Sequence, residues 1–173
     1  MFFHPKKATC IYHDKRDPPI GTILCFRGDP YADVSIFIEL AHANNTTPLT
    51  SNHNWHVHTW PIQSASDLQP NRCASVGGHF NPYDVPVSET YTSECQKDNT
   101  FMCEAGDFSG KHGQLDIPDD LALVSAKHFF TDTTVSLLGP HTIVNRSVVV
   151  HASNDCSLVT ASASPMLCIG HGA

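Results

Sequence analysis

The sequence has few charged residues and no long apolar run. Only 16% of its 173 residues are charged and 40% are apolar, which is the balance of a globular protein rather than a disordered one. No apolar stretch approaches the roughly 18 residues that a transmembrane helix needs. The formal net charge is −7 and there is no basic run, which argues against nucleic acid as a partner.

Helical periodicity is also missing, because no segment keeps an apolar stripe over three helical turns. Short strand-like runs recur between turn signals instead, and they predict an all-β sandwich or barrel. We expect a single domain over residues 1–173. The predicted strands are 8–13, 21–26, 34–40, 56–60, 121–124, 134–138, 146–150 and 166–169, the first two forming a hairpin. A polar loop of about 50 residues, 63–113, interrupts them, and loops of this length tend to be functional.

Histidine is abundant, with 12 in the chain, and two of them stand together in a strand-like run. Alternation along a strand sends residues i and i+2 to the same face, so His56 and His58 project together. Two imidazoles that converge from a rigid strand form half of a transition-metal site. A chance pair on a half-exposed strand is the alternative, and the remaining histidines decide between the two.

Further motifs follow the His-Val-His pair in a fixed order. They are Cys73-x5-His79-Phe80-Asn81-Pro82, then Gly106-Asp107, then Val149-Val150-His151, and finally Cys168. The ordered set resembles the copper/zinc superoxide dismutase family, whose fold is an eight-stranded Greek-key β-barrel, an immunoglobulin-like sandwich with long loops. The resemblance covers most of the chain.

The resemblance implies a copper ion held by four histidines. Its ligands would be His56, His58, His79 and His151, and the ion would cycle between Cu(II) and Cu(I) while superoxide is converted to O2 and H2O2. His79 would be catalytic, detaching from Cu(I) and carrying a proton. By the same resemblance His53 is a structural histidine and not a ligand. We expect surface or packing roles for His42, His128 and His141, and no catalytic role for His4 or His171.

Departures from the family pattern concern zinc. The zinc half of the family site needs His79, two further histidines and an aspartate, but only Asp107 is present. Glu104 and Val87 stand where the other two histidines belong, so a tetrahedral zinc site cannot be built. This loss resembles the copper-only members of the family, which include fungal extracellular enzymes and animal tandem-repeat proteins. We therefore expect one copper and no zinc. Asp107 and Glu104 are the carboxylates placed to accept the other N–H of His79, unless they are solvated loop acids.

A second departure concerns the substrate. The arginine that guides anions in the family is replaced by Pro165, and a chain of net charge −7 repels superoxide unless a local positive field attracts it. Lys111 and Arg72 are candidates for that field. The first expectation is an extracellular copper-only superoxide dismutase. A copper-binding or buffering module with little dismutase activity stays open as the alternative, as does a purely structural spacer unit.

Seven cysteines suggest disulfides and therefore an oxidising compartment. Glycosylation triplets begin at Asn44, Asn45 and Asn145. The first seven residues have no apolar core for a signal peptide, so we expect a signal outside this sequence. The resemblance pairs Cys73 with Cys168, and Cys95 with Cys103 would close a small loop beside Glu104. The pairing of Cys10, Cys25 and Cys156 stays open. We expect a monomeric domain, one of several tandem repeats in a longer chain.

Overall fold

The structure of the protein is a computed structural model. It describes residues 7–12, 19–29, 31–42, 49–61, 75–118, 126–151 and 164–171. Among these residues are nine strands: β1 Lys7–Tyr12, β2 Pro19–Phe26, β3 Val34–His42, β4 Thr50–His53, β5 Trp55–His58, β6 Leu115–Ile117, β7 Ala126–Asp132, β8 Ser147–Val150 and β9 Ser164–His171. The fold is therefore all-β, as the sequence predicts.

Two antiparallel sheets make up this part of the chain. Seven strands pair in the order β5-β8-β9-β1-β2-β3-β7, and β4 pairs with β6. The predicted hairpin of the first two strands is present, with Ala8 opposite Cys25. Neighbours such as β9 and β1 are distant in sequence, so pairing between remote segments builds the sheet and places β5 and β8 side by side at one of its edges.

The core follows from alternation along the strands. In β3 the side chains of Val34, Ile36, Ile38 and Leu40 are buried, and the residues between them are only half-buried. Because successive side chains on a strand point to opposite faces, this period of two places one face of β3 against the core. The core cluster also contains Ile23 and Cys25 of β2, Trp55 and Val57 of β5, and Val148 and Val150 of β8.

Six of the eight predicted strands are present with shifted ends, and one prediction is wrong. Residues 134–138 form only an isolated bridge, Ser136 to Thr142, although their alternating apolar side chains are buried. The reason is local, because the Asp132 carboxylate accepts the backbone N–H groups of Thr134 and Val135. Those donors are then unavailable to a neighbouring strand. The predicted strand 121–124 lies outside the described residues.

The long polar loop contains short helical turns. These are α1 Tyr91–Glu94, a 3-10 turn Thr100–Met102 and α2 Phe108–His112. The predicted disulfide between Cys95 and Cys103 is present and links the end of α1 to the end of the 3-10 turn. No helix in the part of the chain that the structure describes is long and apolar enough to cross a membrane.

Candidate metal centre

β5 supplies the first two histidines of the centre. All four residues of β5 are buried: Trp55 and Val57 belong to the core cluster, and alternation sends His56 and His58 to the opposite face. β8 pairs with β5 so that Trp55 lies opposite Val150. The next residue, His151, is buried and donates its backbone N–H to the Asn54 carbonyl over 2.7 Å. The ladder thus fixes His151 beside His56.

The segment that carries His79 is held against β5 by a close backbone contact at Gly106. Val57 donates its N–H to the Gly106 carbonyl (2.9 Å) and accepts the Phe80 N–H (2.8 Å), and Gly106 donates to the Phe80 carbonyl (2.7 Å). A Cβ on Gly106 would collide with the Val57 carbonyl and the Phe80 backbone, so only glycine allows the three segments to meet. His79, one residue before Phe80, is thereby held against His58, with which it forms a backbone bridge.

Four histidines converge at this point. His56, His58, His79 and His151 each offer a ring nitrogen, and these four atoms lie within 4.8 Å of one another. The His56 ring centroid is 3.9 Å from that of His79 and 4.8 Å from that of His151. Imidazole nitrogens bind a metal at about 2.0–2.1 Å, so two donors on opposite sides of an ion are about 4.2 Å apart. A contraction of about half an ångström would close the group around one ion.

The hydrogen bonds of the rings show which nitrogens face the centre. His58 donates from Nδ1 to the Gly77 carbonyl over 2.8 Å, and its Nε2 is buried with no hydrogen-bond partner. A buried nitrogen without a partner is costly in a protein interior unless something such as a metal ion satisfies it. Nδ1 of His56 and Nε2 of His151 face each other at 2.9 Å. The donor set therefore fits a transition metal that accepts imidazole ligands.

Burial also favours the neutral imidazoles that metal binding requires. It lowers the pKa of His58 from its ordinary value to about 4, against the raising effect of the Gly77 hydrogen bond. The pKa of His56 is lowered further, first by burial and then by the neighbouring histidines. At neutral pH both rings are unprotonated, so no proton has to leave them before a metal binds.

Comparison with known proteins agrees with this geometry. A family model described as copper/zinc superoxide dismutase matches residues 26–167. The chain belongs to the copper/zinc superoxide dismutase family. The match spans the strands and loops that carry all four histidines of the centre.

Relatives within this family include fungal and human proteins. A copper–zinc superoxide dismutase of Neurospora crassa is 27% identical over 163 residues, covering 84% of this chain and 92% of the relative. Human extracellular superoxide dismutase is 31% identical over 143 residues, covering 82% of this chain but 48% of that protein. A Cryptococcus neoformans enzyme is 34% identical over 105 residues, covering 58% of this chain and 51% of the relative. The chain thus spans about half the length of the last two.

Two carboxylates border the four-histidine group of this dismutase-family chain. Glu104 places Oε2 2.7 Å from Nδ1 of His79, and only 10% of its side chain is exposed. Asp107 places Oδ1 3.5 Å from Nε2 of His56 and caps α2 by accepting the Gly110 N–H over 2.8 Å. Both were expected to serve His79, but the structure assigns Glu104 to His79 and Asp107 to His56. Neither is a solvated loop acid, because both are buried.

The remaining histidines lie outside the group. His53 is buried and bonds through Nδ1 to the His151 carbonyl and through Nε2 to the Thr50 hydroxyl, so its contacts are structural. His42 bonds to the same Thr50 hydroxyl. Three others pack against aromatic rings: His112 and His128 against Phe130, and His141 against Tyr83. The side chains of His4 and His171 lie outside the described part.

Several other predicted residues can be placed. Val87 is 64% exposed. Lys111, a candidate for a guiding positive field, is buried and pairs with Asp132 at 2.7 Å, so its charge is neutralised inside the protein. Arg72, the Cys73–Cys168 pair and the side chain of Pro165 lie outside the described residues. Cys25 is a free and buried cysteine.

Two residues near the centre carry no signal in the sequence. Tyr91 is a single tyrosine in a polar loop, and Arg146 precedes a strand. In the structure the Arg146 guanidinium carbon lies 3.7 Å from the centroid of the Phe80 ring, and its Nη1 donates to the Thr59 carbonyl over 2.6 Å. Arg146 therefore links the residue that follows His79 to the end of β5. Only a contact map could have revealed either residue.

Proposed function

We propose that this chain is a copper-only superoxide dismutase domain of an extracellular protein. The observation that carries the proposal is the bond between His79 and Glu104. In the family pattern the outer nitrogen of this histidine faces zinc, whereas here a buried carboxylate lies 2.7 Å from it. A carboxylate at this position fixes the ring and its tautomer without a second metal, because it accepts the N–H that a metal-bound imidazole leaves on its other nitrogen.

Four side chains would hold the copper: His56 through Nδ1, His58 and His151 through Nε2, and His79 through the nitrogen that Glu104 leaves open. Bound copper supplies one-electron exchange between Cu(II) and Cu(I), so that one superoxide is oxidised to O2 and a second, with two protons, is reduced to H2O2. The histidines would hold the ion in a largely buried site, and the Gly77 carbonyl orients His58.

His79 is the residue suited to hold and return a proton. Its side chain is 34% exposed, so solvent reaches it. The Glu104 carboxylate accepts the Nδ1–H of His79 over 2.7 Å, so the ring keeps its orientation whether or not its other nitrogen carries a proton. This is the basis for assigning the catalytic role to His79 rather than to the more buried His56.

Two observations support an extracellular setting. The Cys95–Cys103 disulfide is of the kind that persists in oxidising compartments. Human extracellular superoxide dismutase is among the relatives. A single domain over residues 1–173, a monomeric state and an origin in a tandem-repeat protein remain predictions.

The test compares copper-loaded, zinc-free wild-type protein with two single variants. Superoxide decay is followed directly after a pulse that generates it. His151→Ala removes one of the four imidazoles and should reduce the decay to the spontaneous rate. His141→Ala should leave the rate unchanged, because the His141 ring packs against Tyr83 and is not one of the four histidines of the centre. Full activity in His151→Ala, or in metal-free wild type, would refute the proposal.

A copper-binding or buffering module is the second candidate, and the burial of Lys111 favours it. Because its ammonium group is fully paired in the interior, Lys111 contributes little to attracting superoxide, and the net charge of −7 repels the anion. Under this alternative the protein binds copper but superoxide decays no faster than without it. A rate constant near the diffusional range of about 10⁸–10⁹ M⁻¹s⁻¹ would exclude the alternative.

A further inference from the structure

Tyr91 stands behind the two carboxylates of the metal centre. It begins α1 and packs with Cys95, Cys103 and Val85 in a small cluster separate from the main core. Its ring is buried, with 9% of the residue exposed. A buried phenol needs partners for its hydroxyl group, and in this case both partners belong to residues that contact the metal-binding histidines.

The hydroxyl of Tyr91 makes two bonds with defined directions. It lies 2.8 Å from Oδ2 of Asp107 and 3.0 Å from the backbone nitrogen of Glu104. The Glu104 N–H can only donate and a carboxylate can only accept, so the tyrosine accepts from Glu104 and donates to Asp107. Burial raises the pKa of Tyr91 well above its ordinary value, against the lowering effect of the Glu104 N–H, and the Asp107 charge adds to the increase. The hydroxyl therefore keeps its proton.

Each of the two residues that bond to the Tyr91 hydroxyl also contacts one histidine through its carboxylate. Oδ1 of Asp107 faces Nε2 of His56 at 3.5 Å, and Oε2 of Glu104 meets Nδ1 of His79 at 2.7 Å. The Asp107 backbone N–H also donates to the Glu104 carbonyl over 3.0 Å, so the two acidic residues share one turn. A single hydroxyl group thus reaches two of the four histidines through one intermediate residue each.

The disulfide closes the arrangement around the tyrosine. The Cys95 N–H donates to the Tyr91 carbonyl over 2.8 Å, and Cys95 is joined to Cys103, the residue before Glu104. The Cys95 sulfur also lies 3.6 Å from Oδ2 of Asp107. Covalent and hydrogen bonds therefore form a ring: Tyr91 is bonded to Cys95, the disulfide joins Cys95 to Cys103, and the next residue, Glu104, donates its backbone N–H to the Tyr91 hydroxyl.

We propose that Tyr91 is a positioning residue of the metal centre, whose hydroxyl holds Asp107 and Glu104 in the arrangement that sets the ring orientation and tautomer of His56 and His79. The role rests on the proposed function, because ring orientation matters only if these histidines bind the metal. Outer partners of metal-bound histidines change metal affinity or activity by about 10–100-fold when they are removed. Tyr91 is one residue further out, so we expect the low end of that range.

The first test uses metal-free protein, so that it is independent of copper binding and of activity. Tyr91→Phe keeps the ring and removes the hydroxyl. Two-dimensional NMR of the imidazole nitrogens reports the tautomer of each histidine. We expect the His56 and His79 signals to move and those of His58 to stay, because His58 is held by the Gly77 carbonyl instead. Unchanged His56 and His79 signals would overturn the proposal, even if the variant were less stable.

The second test adds Cu(II). In Tyr91→Phe we expect copper affinity to fall about tenfold and the electron paramagnetic resonance spectrum of the bound ion to change. Tyr83→Phe is the matched control, because Tyr83 is 52% exposed and its hydroxyl makes only a long hydrogen bond, 3.4 Å, to the Thr134 carbonyl. An affinity within twofold of wild type and an identical spectrum in Tyr91→Phe would contradict the role. If wild type binds copper without dismutase activity, the proposed function fails while this comparison still stands.

A second variant keeps the proposal open to refutation if Tyr91→Phe does not fold. Asp107→Asn retains the shape of the side chain and removes the charge that the tyrosine hydroxyl meets. In the metal-free variant the His56 signals and the Tyr91 hydroxyl proton signal should both shift. If the Tyr91 hydroxyl proton is unaffected by Asp107→Asn, the two groups are not bonded and the proposal is wrong.

Discussion

Lys111→Met should destabilise the protein far more than a lysine substitution at the surface. The Lys111 side chain is fully buried, and its Nζ lies 2.7 Å from each of three acceptors: the Asp132 carboxylate, the Ala105 carbonyl and the Thr134 hydroxyl. Methionine keeps the length of the side chain but donates no hydrogen bond. Asp132 is then left as a buried charge without its cation, although His112 still contacts it at 2.8 Å.

The magnitude follows from this burial. Removing one partner of a buried ion pair costs about 3–5 kcal/mol, because the remaining charge keeps its desolvation penalty without compensation. Lys127 provides the matched control. It pairs with Glu39 at 3.5 Å, but the two side chains are 62% and 41% exposed, and exposed pairs contribute only about 0–1 kcal/mol.

The assay is chemical unfolding of the metal-free, oxidised protein, so that bound copper does not mask the change. Lys111→Met should lower the free energy of unfolding by about 3–5 kcal/mol, and Lys127→Met by less than about 1 kcal/mol. Losses within about 1 kcal/mol of each other would show that Lys111 is not buried as a paired charge, and the description of α2 would have to change.

Three further predictions test the loss of stability in acid, the contact of Glu104 with His79, and the close backbone contact at Gly106. Burial acts to raise the pKa of Asp132, but its hydrogen bond from a histidine and the nearby lysine outweigh burial and lower it below the ordinary value. The carboxylate therefore stabilises the fold above the unfolded-state pKa of about 3.9, and this contribution is lost as pH falls below it. The free energy of unfolding should drop more steeply below about pH 4 in wild type than in Asp132→Asn; equal slopes would contradict this. Glu104→Gln should lower Cu(II) affinity about tenfold in a chelator competition, since an amide accepts more weakly than a carboxylate. The exposed Glu89→Gln should not change it, and equal affinities in the two variants would count against the assignment. Gly106→Ala should cost about 1–3 kcal/mol of unfolding free energy because its Cβ meets backbone atoms. Gly28→Ala, with nothing within 4 Å of the added carbon, should cost less than about 0.5 kcal/mol, and a similar small loss at Gly106 would refute the close contact.

The sequence predicts the strands best where alternation is strict. In β3 buried and half-buried residues alternate from Val34 to Leu40, and the predicted strand 34–40 differs from the structure only by two residues at one end. The segment 134–138 shows the limit of that signal. Its apolar residues alternate, but the carboxylate of the preceding Asp132 accepts the backbone N–H groups of Thr134 and Val135. The spacing of apolar residues does not reveal such hydrogen bonds between a side chain and the backbone.

The four histidines that the structure brings together could be predicted as a group from the sequence, because their motifs keep a family order. The partners of those histidines could not. Glu104 and Asp107 were recognised as acidic neighbours, but which histidine each one meets depends on the turn that joins them. Lys111 and Asp132 are 21 residues apart in the sequence. A lysine in a glycine-rich loop is usually solvated. Its burial follows from tertiary packing alone.

The same limit applies to Gly106. Its place in a Gly-Asp motif suggested importance, but the reason is the approach of three backbone segments within hydrogen-bond distance. Such a requirement arises from the assembled fold, so no local pattern around Gly106 could have specified it.

Metal content after loading with equal copper and zinc distinguishes a copper-only centre from a copper/zinc centre. The purified, metal-free protein is exposed to both ions, exchanged into metal-free buffer and analysed for each element, and its superoxide dismutation is then measured. We predict one copper per chain, no bound zinc, and activity that does not increase when zinc is supplied. One zinc bound per chain beside the copper, or dismutation that depends on zinc, would contradict this prediction.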